Sequence, residues 1–288
     1  MYAIELDNIS VVYGKGTPFE KVALKNIDLK IELGSIVGLI GHTGSGKSTL
    51  VRLLNGLLKP TEGRVLINGE DIWLNPKQVR KFCKKVGLVF QYPEYQLFEE
   101  TVYKDIAFGP KNMGMTGETL NASVRSAAKF CGIDDEMLDR SPFEISGGQK
   151  RRVAIAGVIA MQPEILVLDE PAAGLDPRGR EEILSGLVEY KKSSKSTMVI
   201  VSHSMEDIAK YADSIIVLKD NMINMQGTVK EIFTNAVQLF GAGLDVPQIT
   251  KLFIELEKRG LSSRVDIYTV TKATELMKEC LGGTHHAE

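Results

Sequence analysis

The feature that most restricts this chain is a glycine-rich segment from Gly41 to Ser48. Its sequence, Gly41-His42-Thr43-Gly44-Ser45-Gly46-Lys47-Ser48, fits the pattern Gly-x4-Gly-Lys-Ser/Thr. An apolar run, Ile36 to Ile40, precedes it, and an apolar helix is predicted from about Thr49. Glycines let a backbone wrap around phosphate oxygens, which the N–H groups of a helix N-terminus also stabilise. The alternative, a turn that binds nothing, is disfavoured by the flanking strand and helix, so we expect a phosphate site.

Two further apolar runs, Ile165 to Leu168 and Met198 to Val201, resemble Ile36 to Ile40 because none of the three alternates with polar residues. Strands buried on both faces of a parallel sheet have this composition. Each run is followed at once by polar or glycine residues. Because ligands of open α/β sheets bind outside the carboxyl ends of the strands, the three tails are expected to converge. The sequence therefore predicts an α/β fold with one site at that edge.

The tails of the second and third runs carry the groups that phosphate chemistry needs. Asp169-Glu170 follows Leu168, and Ser202-His203 follows Val201. One carboxylate can hold Mg²⁺ while its neighbour orients or deprotonates an attacking water. His203 can donate a hydrogen bond to a phosphate oxygen, although a lone histidine is more often structural. With Lys47 on the glycine-rich loop and Ser48 as a magnesium ligand, these residues predict phosphoryl transfer.

Charge and cysteine content exclude several other classes. The 288 residues carry a formal net charge of −2, which provides no global field for nucleic acid. A basic cluster from Lys77 to Lys85 fits a solvated helix face better than a phosphate-binding surface. Three widely spaced cysteines provide neither a disulfide framework nor a zinc site. The longest apolar stretch, Val153 to Met161, is too short to span a bilayer, so any membrane role is expected to be peripheral.

The type of secondary structure that the sequence predicts changes along the chain. Alternating segments such as Ala3 to Leu6 and Ile27 to Ile31 predict an N-terminal antiparallel sheet. From Tyr92 to Ile145 helical segments predominate, among them Leu120 to Cys131, and we expect breaks at Gly109-Pro110 and Ser141-Pro142. This pattern predicts a helical subdomain, of about residues 92–160, inserted into the α/β core.

A third region, residues 228–288, follows the core. Four apolar residues there have the spacing of one helix face, namely Ile249, Leu252, Phe253 and Leu256. A strand over Val265 to Val270 and a final helix to about Leu281 are expected next. The terminal residues, which include His285-His286, are expected to form a flexible tail; whether the histidine pair has any role is open.

One further motif identifies a family. Ser146-Gly147-Gly148-Gln149-Lys150-Arg151-Arg152 resembles the signature of ABC ATPases, and the other motifs stand in that family's order. They are Tyr13, the P-loop from Gly41 to Ser48, Gln91, the signature, Asp169-Glu170, Ala173-Gly174-Leu175-Asp176 and His203. They cover residues 1 to about 227. Ile145 and Ala172 stand where leucine and threonine are usual, and neither departure removes a catalytic group.

The resemblance implies a fold and a set of roles. Residues 1–227 would form the ABC ATPase domain, an α/β P-loop fold with an antiparallel β subdomain and an inserted helical subdomain, followed by a small α+β extension that helps dimerisation. Tyr13 would stack on the adenine of ATP, which the P-loop and Thr49 also bind, and Gln91, Ser48 and Asp169 would hold Mg²⁺. The ATP bound to a second subunit would be contacted by Ser146, Gly147, Gly148 and Gln149. Asp176 would contact the same subunit across the dimer interface.

Other segments resemble energy-coupling factor ATPases, in particular the second of their two ATPases. They are Gly16-Thr17-Pro18-Phe19-Glu20, the stretch from Gln91 to Val102, and Gly243-Leu244-Asp245-Val246-Pro247-Gln248. Such ATPases work in pairs beneath a transmembrane coupling protein, joined to membrane substrate-binding proteins for vitamins, cobalt or nickel. Residues 92–102 would form a helix that receives the coupling protein, where Glu94, Glu99 and Glu100 could pair with arginines. A solvated acidic turn is the alternative.

The resemblance thus predicts a peripheral ATPase at the cytoplasmic face of the cell membrane, with ATP and Mg²⁺ and without nucleic acid as a partner. Three alternatives were weighed. A soluble ABC protein of translation or DNA repair is disfavoured because 54 residues, Tyr92 to Ile145, leave no room for a coiled-coil arm. A GTPase or kinase is disfavoured because no Asn-Lys-x-Asp motif occurs. A conventional importer ATPase remains open, as do the transported substrate and the identity of the partner ATPase.

Overall fold

The computed structural model describes residues 1–261 and 266–282. Two single 3₁₀ turns, Pro76–Gln78 and Pro93–Gln96, lie between its helices and strands. The strands are β1 (Tyr2–Tyr13), β2 (Lys21–Glu32), β3 (Ile36–Gly41), β4 (Glu62–Ile67), β5 (Glu70–Asp71), β6 (Val86–Val89), β7 (Ile165–Asp169), β8 (Thr197–Val201), β9 (Ser214–Lys219) and β10 (Met222–Thr228). The helices are α1 (Lys47–Leu54), α2 (Val79–Cys83), α3 (Val102–Asn112), α4 (Gly117–Phe130), α5 (Asp135–Leu138), α6 (Gly147–Ile159), α7 (Pro177–Ser194), α8 (Met205–Tyr211), α9 (Val229–Thr234), α10 (Ala236–Gly241), α11 (Gln248–Lys258) and α12 (Val270–Gly282).

The main sheet has the strand order β10-β9-β3-β8-β7-β6 and is parallel except for β10, which pairs antiparallel with β9. All six residues of β3 and all five of β8 are buried, because the apolar clusters on both faces of the sheet cover them. The three non-alternating runs therefore form the strands that were predicted. The α/β prediction is confirmed.

A second sheet, β2-β1-β4-β5, is antiparallel. Its strands alternate buried and exposed residues, and the buried ones share an apolar cluster with α1 and one face of the main sheet. The predicted N-terminal antiparallel sheet is confirmed. It brings Tyr13, the last residue of β1, to the first turn of α1, where the Tyr13 hydroxyl lies 3.3 Å from Thr49 Oγ1.

Helices α3 to α6 pack together beside the other face of the main sheet. A Cβ on Gly109 of α3 would lie 2.7 Å from Met161 Sδ, so a larger residue would require the Met161 side chain to move. The predicted helix break at Gly109-Pro110 is wrong, because α3 continues through buried Pro110 to Asn112. Proline removes one backbone hydrogen bond, here in the last turn of α3.

The region after β10 divides in two. Helices α9 and α10 contribute Phe233 and Leu239 to the main core, whereas α11 and α12 form a small separate cluster around Phe253. Of the four apolar residues predicted on one helix face, Ile249, Phe253 and Leu256 belong to this cluster, whereas Leu252 is 44% exposed. In the described part of the predicted strand, residues 266–269 form no strand and α12 already begins at Val270. Val265 and His285-His286 lie outside the described residues.

Within the described ranges, residues 1–261 and 266–282, no helix has the length and apolar character of a transmembrane span. Cys131 is buried, and burial raises the pKa of its thiol to about 12. Cys83 is partly buried, and burial raises its pKa as well.

Candidate nucleotide-binding site

The carboxyl ends of three adjacent strands meet at one edge of the main sheet. In the register of the sheet Leu39 of β3 lies beside Val201 of β8, and Val201 lies beside Asp169 of β7. The residues that follow each strand therefore emerge side by side. The glycine-rich loop, Glu170 and His203 are brought together in this way, as the sequence predicted.

The glycine-rich loop needs glycine for conformational and steric reasons. Gly46 precedes α1 with a φ of 104°, and a Cβ there would lie 2.7 Å from the Ala23 carbonyl oxygen. The side chain of Ser45 is buried, and its Oγ has no hydrogen-bond partner among the described residues. The N-terminus of α1 thus begins at a loop whose backbone can approach a phosphate group closely.

A cleft of about 320 Å³ opens at this edge of the sheet. Most predicted ATP-site residues line it, but Gly41, His42 and Ser45 do not: Gly41 and Ser45 are buried, and His42 Nδ1 contacts the Thr43 carbonyl oxygen at 2.8 Å. The lining residues that were predicted are Tyr13, Thr43, Gly44, Gly46, Lys47, Ser48, Thr49, Gln91, Asp169, Glu170 and His203.

The cleft is also lined by Lys21, Ala23 and Asn221, which the sequence did not single out. Asn221 belongs to the two-residue turn Asp220-Asn221, whose φ values of 48° and 65° suit a tight hairpin between β9 and β10. Its backbone carbonyl accepts a hydrogen bond from Lys25 N at 2.9 Å, which fixes the turn against β2. The two turn-forming residues Asp220-Asn221 are visible in the sequence, but nothing in the sequence indicates that this turn contacts β2.

Lys47 lies in the middle of the site. Its ammonium donates to the carbonyl oxygens of Gly41 at 2.6 Å and His42 at 3.1 Å. Burial lowers the pKa of Lys47, while the charges of Glu170 and Asp169 act in the opposite direction. The cation is thus held on the loop by weak backbone acceptors, from which it can turn to an anionic ligand.

Glu170 has two unusual properties. Its backbone adopts a left-handed conformation with φ of 54°, a strain that clusters at functional sites. Its carboxylate is buried, and Oε1 has no hydrogen-bond partner in the described part of the chain, although His203 Nε2 lies 3.5 Å away. Burial, followed by the charge of Asp169, raises its pKa to about 7. A carboxyl poised near neutral pH suits a general base.

Asp169 and His203 flank that carboxylate. Burial raises the pKa of Asp169, against the opposing charge of Lys47. Burial and then the charge of Lys47 lower the pKa of His203, so its neutral form is favoured. A neutral imidazole can donate one hydrogen bond to a phosphate oxygen through one nitrogen, while its other nitrogen can only accept.

The signature residues lie elsewhere. Ser146 caps α6: its Oγ accepts a hydrogen bond from Gln149 N at 3.3 Å, and Ser146 N donates to Gln149 Oε1 at 2.9 Å. Neither Ser146, Gly147, Gly148 nor Gln149 is among the residues that line the cleft. Asp176 caps α7 in the same manner, by accepting from Gly179 N at 2.6 Å. Within one chain, the signature and the P-loop do not form one pocket.

Residues 92–102 differ from expectation. They do not form a helix: the single turn Pro93–Gln96 ends where Leu97 becomes extended, and α3 begins at Val102. Glu94 is not a free carboxylate, since Arg151 binds it through two hydrogen bonds of 3.1 and 2.9 Å. Glu100 forms an ion pair with Lys104 at the surface. Of the three acids proposed for coupling, Glu94 is thus already occupied within the chain.

A parallel sheet, a P-loop before α1, an acid pair on β7 and a capped glycine signature together define an ATP-binding cassette. The sequence profile of the family described as "ABC transporter" matches residues 24–173. Curated relatives named energy-coupling factor transporter ATP-binding protein EcfA2 include one from Caldanaerobacter subterraneus, 53% identical over 281 residues and 98% of each chain. Another, from Acetivibrio thermocellus, is 52% identical over 95% of this chain and 96% of its own.

Solved structures show the same relationship. The protein cbiO1 from Clostridium perfringens, described as part of the ABC transporter complex cbiONQ, has a TM-score of 0.75 and 38% identity, over 87% of this chain and 98% of its own. A dimeric structure of the cassette MJ0796 with ADP and Pi has a TM-score of 0.71 and 30% identity, over 78% of this chain and 98% of its own. The chain belongs to the ABC transporter ATPases, in the group of energy-coupling factor ATP-binding proteins. ATP hydrolysis coupled to transport is the activity of this group.

Proposed function

We propose that this chain binds ATP in the cleft and hydrolyses it to drive an energy-coupling factor importer for vitamins or for cobalt or nickel ions. The observation that carries the proposal is the convergence of Lys47, Glu170 and His203 at the ends of adjacent parallel strands. The triphosphate lies along the P-loop from Gly41 to Ser48, and Tyr13 stacks on the adenine.

The residues fit a magnesium ion bound together with ATP. Groups of three or more His, Cys, Asp or Glu that could hold a metal by themselves do not occur among the described residues. Ser48, Gln91 and Asp169 all line the cleft beside the P-loop. Such a small oxygen set matches Mg²⁺, which keeps several waters and binds substrate phosphates. When bound, the ion would neutralise charge on the phosphates.

Hydrolysis then depends on groups of this chain. Glu170 accepts a proton from the attacking water, for which a pKa of about 7 is suitable. His203, close to the same carboxylate, donates a hydrogen bond to the terminal phosphate and holds the water in line. Lys47 leaves the carbonyl groups of Gly41 and His42 and neutralises β/γ-phosphate charge.

The active unit is a dimer of this chain with a similar or identical ATPase. Support comes from the signature, which is capped at the start of α6 but does not line the cleft of its own chain. Ser146 to Gln149 complete the nucleotide site of the second subunit, with Asp176 nearby across the interface. Residues 228–288 help hold the two subunits together, and residues 1–227 form the ATPase domain.

The membrane partner docks on residues 92–102, which we call the docking segment. Beside it lies a largely apolar groove of about 470 Å³, lined by Phe98, Phe108, Met113, Val153 and Met161 among others. Phe98 and Phe108 are 57% and 43% exposed, and their rings meet edge to face at 4.9 Å. A groove of this kind accepts a helix of a transmembrane coupling protein, and Glu99 and Glu100 can pair with its arginines. The chain is then peripheral at the cytoplasmic face of the membrane, and a membrane substrate-binding protein selects the solute.

Replacement of the general base tests the proposal. Glu170→Gln keeps the size of the side chain, so ATP still binds, but the steady rate of hydrolysis falls by about 10²–10⁴-fold. The closed dimer accumulates and is measured by size exclusion with light scattering in MgATP. Glu189→Gln, an exposed glutamate of α7, is the matched control. Rapid multiple turnover by Glu170→Gln would refute the assigned role.

A further inference from the structure

The docking segment is attached to the helical part of the molecule and not to the main sheet. Phe98 N and Glu99 N donate to the carboxylate of Asp105 in α3 at 3.2 and 3.3 Å, and Lys104 N donates to Thr101 Oγ1. Among the described residues, every hydrogen bond from 92–102 to a residue beyond the segment ends on α3, on α6 or on Arg140 between α5 and α6. The docking segment is therefore attached to these helices and is expected to move with them.

The strongest of these attachments is the ion pair of Arg151 with Glu94. The Arg151 side chain is 4% exposed and that of Glu94 18%, and the guanidinium binds both carboxylate oxygens. Bidentate pairs of this kind fix orientation as well as distance. Arg151 lies on α6, little more than one turn after Ser146, so the pair connects the signature helix to the docking segment.

The connection to the main sheet is of a different kind. β6 ends at Val89, Gln91 lines the cleft, and Tyr92 then adopts a left-handed conformation with φ of 57°. Strained left-handed residues other than glycine cluster at functional and switch sites, and hinges are a few loop or element-terminal residues such as this one. The segment is thus rigid towards α6 and joined to the sheet through one strained residue.

The Arg151–Glu94 ion pair is also not the arrangement that would stabilise the folded chain most. Nη1 of Arg151 is buried without a hydrogen-bond partner among the described residues, and unsatisfied buried donors reduce stability. Buried ion pairs are often no more stabilising than apolar replacements of similar volume, whereas they do fix geometry. A role in orienting the segment explains this arrangement better than a role in holding the fold together.

We infer that Arg151 is a positioning residue that makes the docking segment move with the signature helix α6. When Ser146 to Gln149 engage nucleotide on the second subunit, α6 is displaced and Glu94 carries the docking segment with it, bending the chain at Tyr92. This inference rests on the proposed docking function. It adds the residue through which closure at the nucleotide reaches the membrane partner.

The test uses Arg151→Met, which keeps a long side chain but removes the guanidinium. Hydrogen–deuterium exchange of residues 95–99 is measured in the purified ATPase assembly with and without MgATP. Solute uptake per ATP hydrolysed is measured in the complete transporter. We expect nucleotide affinity within about twofold of the wild type, at least tenfold faster exchange that no longer responds to MgATP, and at least fivefold less uptake per ATP.

Further variants separate positioning from folding. Arg151→Lys keeps the positive charge but cannot form the bidentate hydrogen bonds, so it should retain part of the coupling that Arg151→Met loses. Glu94→Gln should show an intermediate loss, and Glu94→Gln with Arg151→Met should be no worse than Arg151→Met alone, since the two residues act as one unit. Arg125→Met, which removes the exposed pair with Asp135 on the same group of helices, is the matched control and should change nothing.

Uptake per ATP that is unchanged in Arg151→Met would overturn the inference, as would exchange in residues 95–99 that still responds to MgATP. If Arg151→Met does not fold, the same readouts are taken on Glu94→Gln, where wild-type values contradict the inference. A wild-type assembly that hydrolyses ATP but moves no solute would defeat the proposed function instead. In that case the exchange response alone decides whether Arg151 links the segment to α6.

Discussion

At the scale of single residues, Glu170 shows how burial sets chemistry. Its position after β7 puts the carboxylate in the cleft, where removal from water and the neighbouring Asp169 raise its pKa to about 7. The sequence gives the order Asp169-Glu170 after an apolar strand, and that was enough to predict an acid pair at the sheet edge. The left-handed backbone of Glu170, and an Oε1 without a partner among the described residues, were not predictable, because tertiary contacts such as that of Glu170 N with the Val201 carbonyl have no local sequence signal.

A raised pKa makes the stability of the nucleotide-free protein depend on pH. Near pH 4.5, the ordinary pKa of a glutamate, Glu170 is largely protonated when folded; between pH 4.5 and 7 the unfolded chain loses its proton while the folded chain keeps it. Stability therefore falls as pH rises through this window. Glu170→Gln removes the penalty, so its gain in unfolding free energy over wild type should be near zero at pH 4.5 and reach up to about 3 kcal/mol above pH 7.

Chemical denaturation of both proteins at pH 5 and pH 8 measures this difference, with Glu189→Gln as the control. A gain of equal size at both values would show that the carboxyl titrates normally. A larger gain at pH 5 would show that its pKa is lowered.

Lys47 is the second residue with a direct test. In the part of the chain that the structure describes, its ammonium donates only to carbonyl groups of the P-loop, so removing it should not harm the fold. Lys47→Ala should weaken nucleotide binding by roughly 10²-fold, because charge-assisted contacts to phosphate are lost. Fluorescent nucleotide titration measures the affinity, with the exposed Lys192→Ala as the control. Unchanged affinity would place the phosphates elsewhere.

At the scale of elements, the sequence was informative where periodicity and burial agree. The strands β3, β7 and β8 were predicted because short continuous apolar runs that end in polar or glycine residues are typical of strands in a doubly covered sheet. The segment after Gln91 was not, since Asp105 binds the amides of Phe98 and Glu99 and so prevents the helix that resemblance implied. In the same way Thr250 donates its hydroxyl to the Ile267 carbonyl, where a strand had been expected. Such side-chain competition for backbone groups has no local sequence signal.

The docking segment carries an element-scale prediction. Glu94 serves a buried internal pair, whereas Glu100 pairs with Lys104 only at the surface, so Glu99 and Glu100 are the acids accessible to the membrane partner. Glu99→Gln with Glu100→Gln should lower uptake per ATP at least threefold and weaken the salt-sensitive attachment of the ATPases to the membrane protein, since surface ion pairs are screened by salt. Co-purification at low and high salt measures the attachment. A fully coupled double variant would leave only the apolar groove as the docking surface.

At the scale of the whole molecule, one chain contains two halves of different sites. The P-loop and the acid pair lie in one cleft, whereas Ser146 to Gln149 start α6 outside it. The resemblance predicted this separation, and the structure keeps the signature out of the cleft of its own chain. Residue spacing alone could not show which subunit each half serves, because that depends on the assembly.

The central proposal is that the signature acts on nucleotide bound to another subunit. Its most direct test is Ser146→Arg in the purified ATPase assembly, with photolabelling of each chain by an azido-ATP analogue and the rate of hydrolysis both measured. We expect this chain to keep its own label, within about twofold of wild type, while the hydrolysis completed by its signature falls at least 10²-fold. Normal hydrolysis, or loss of label from the mutated chain itself, would contradict a site shared between subunits.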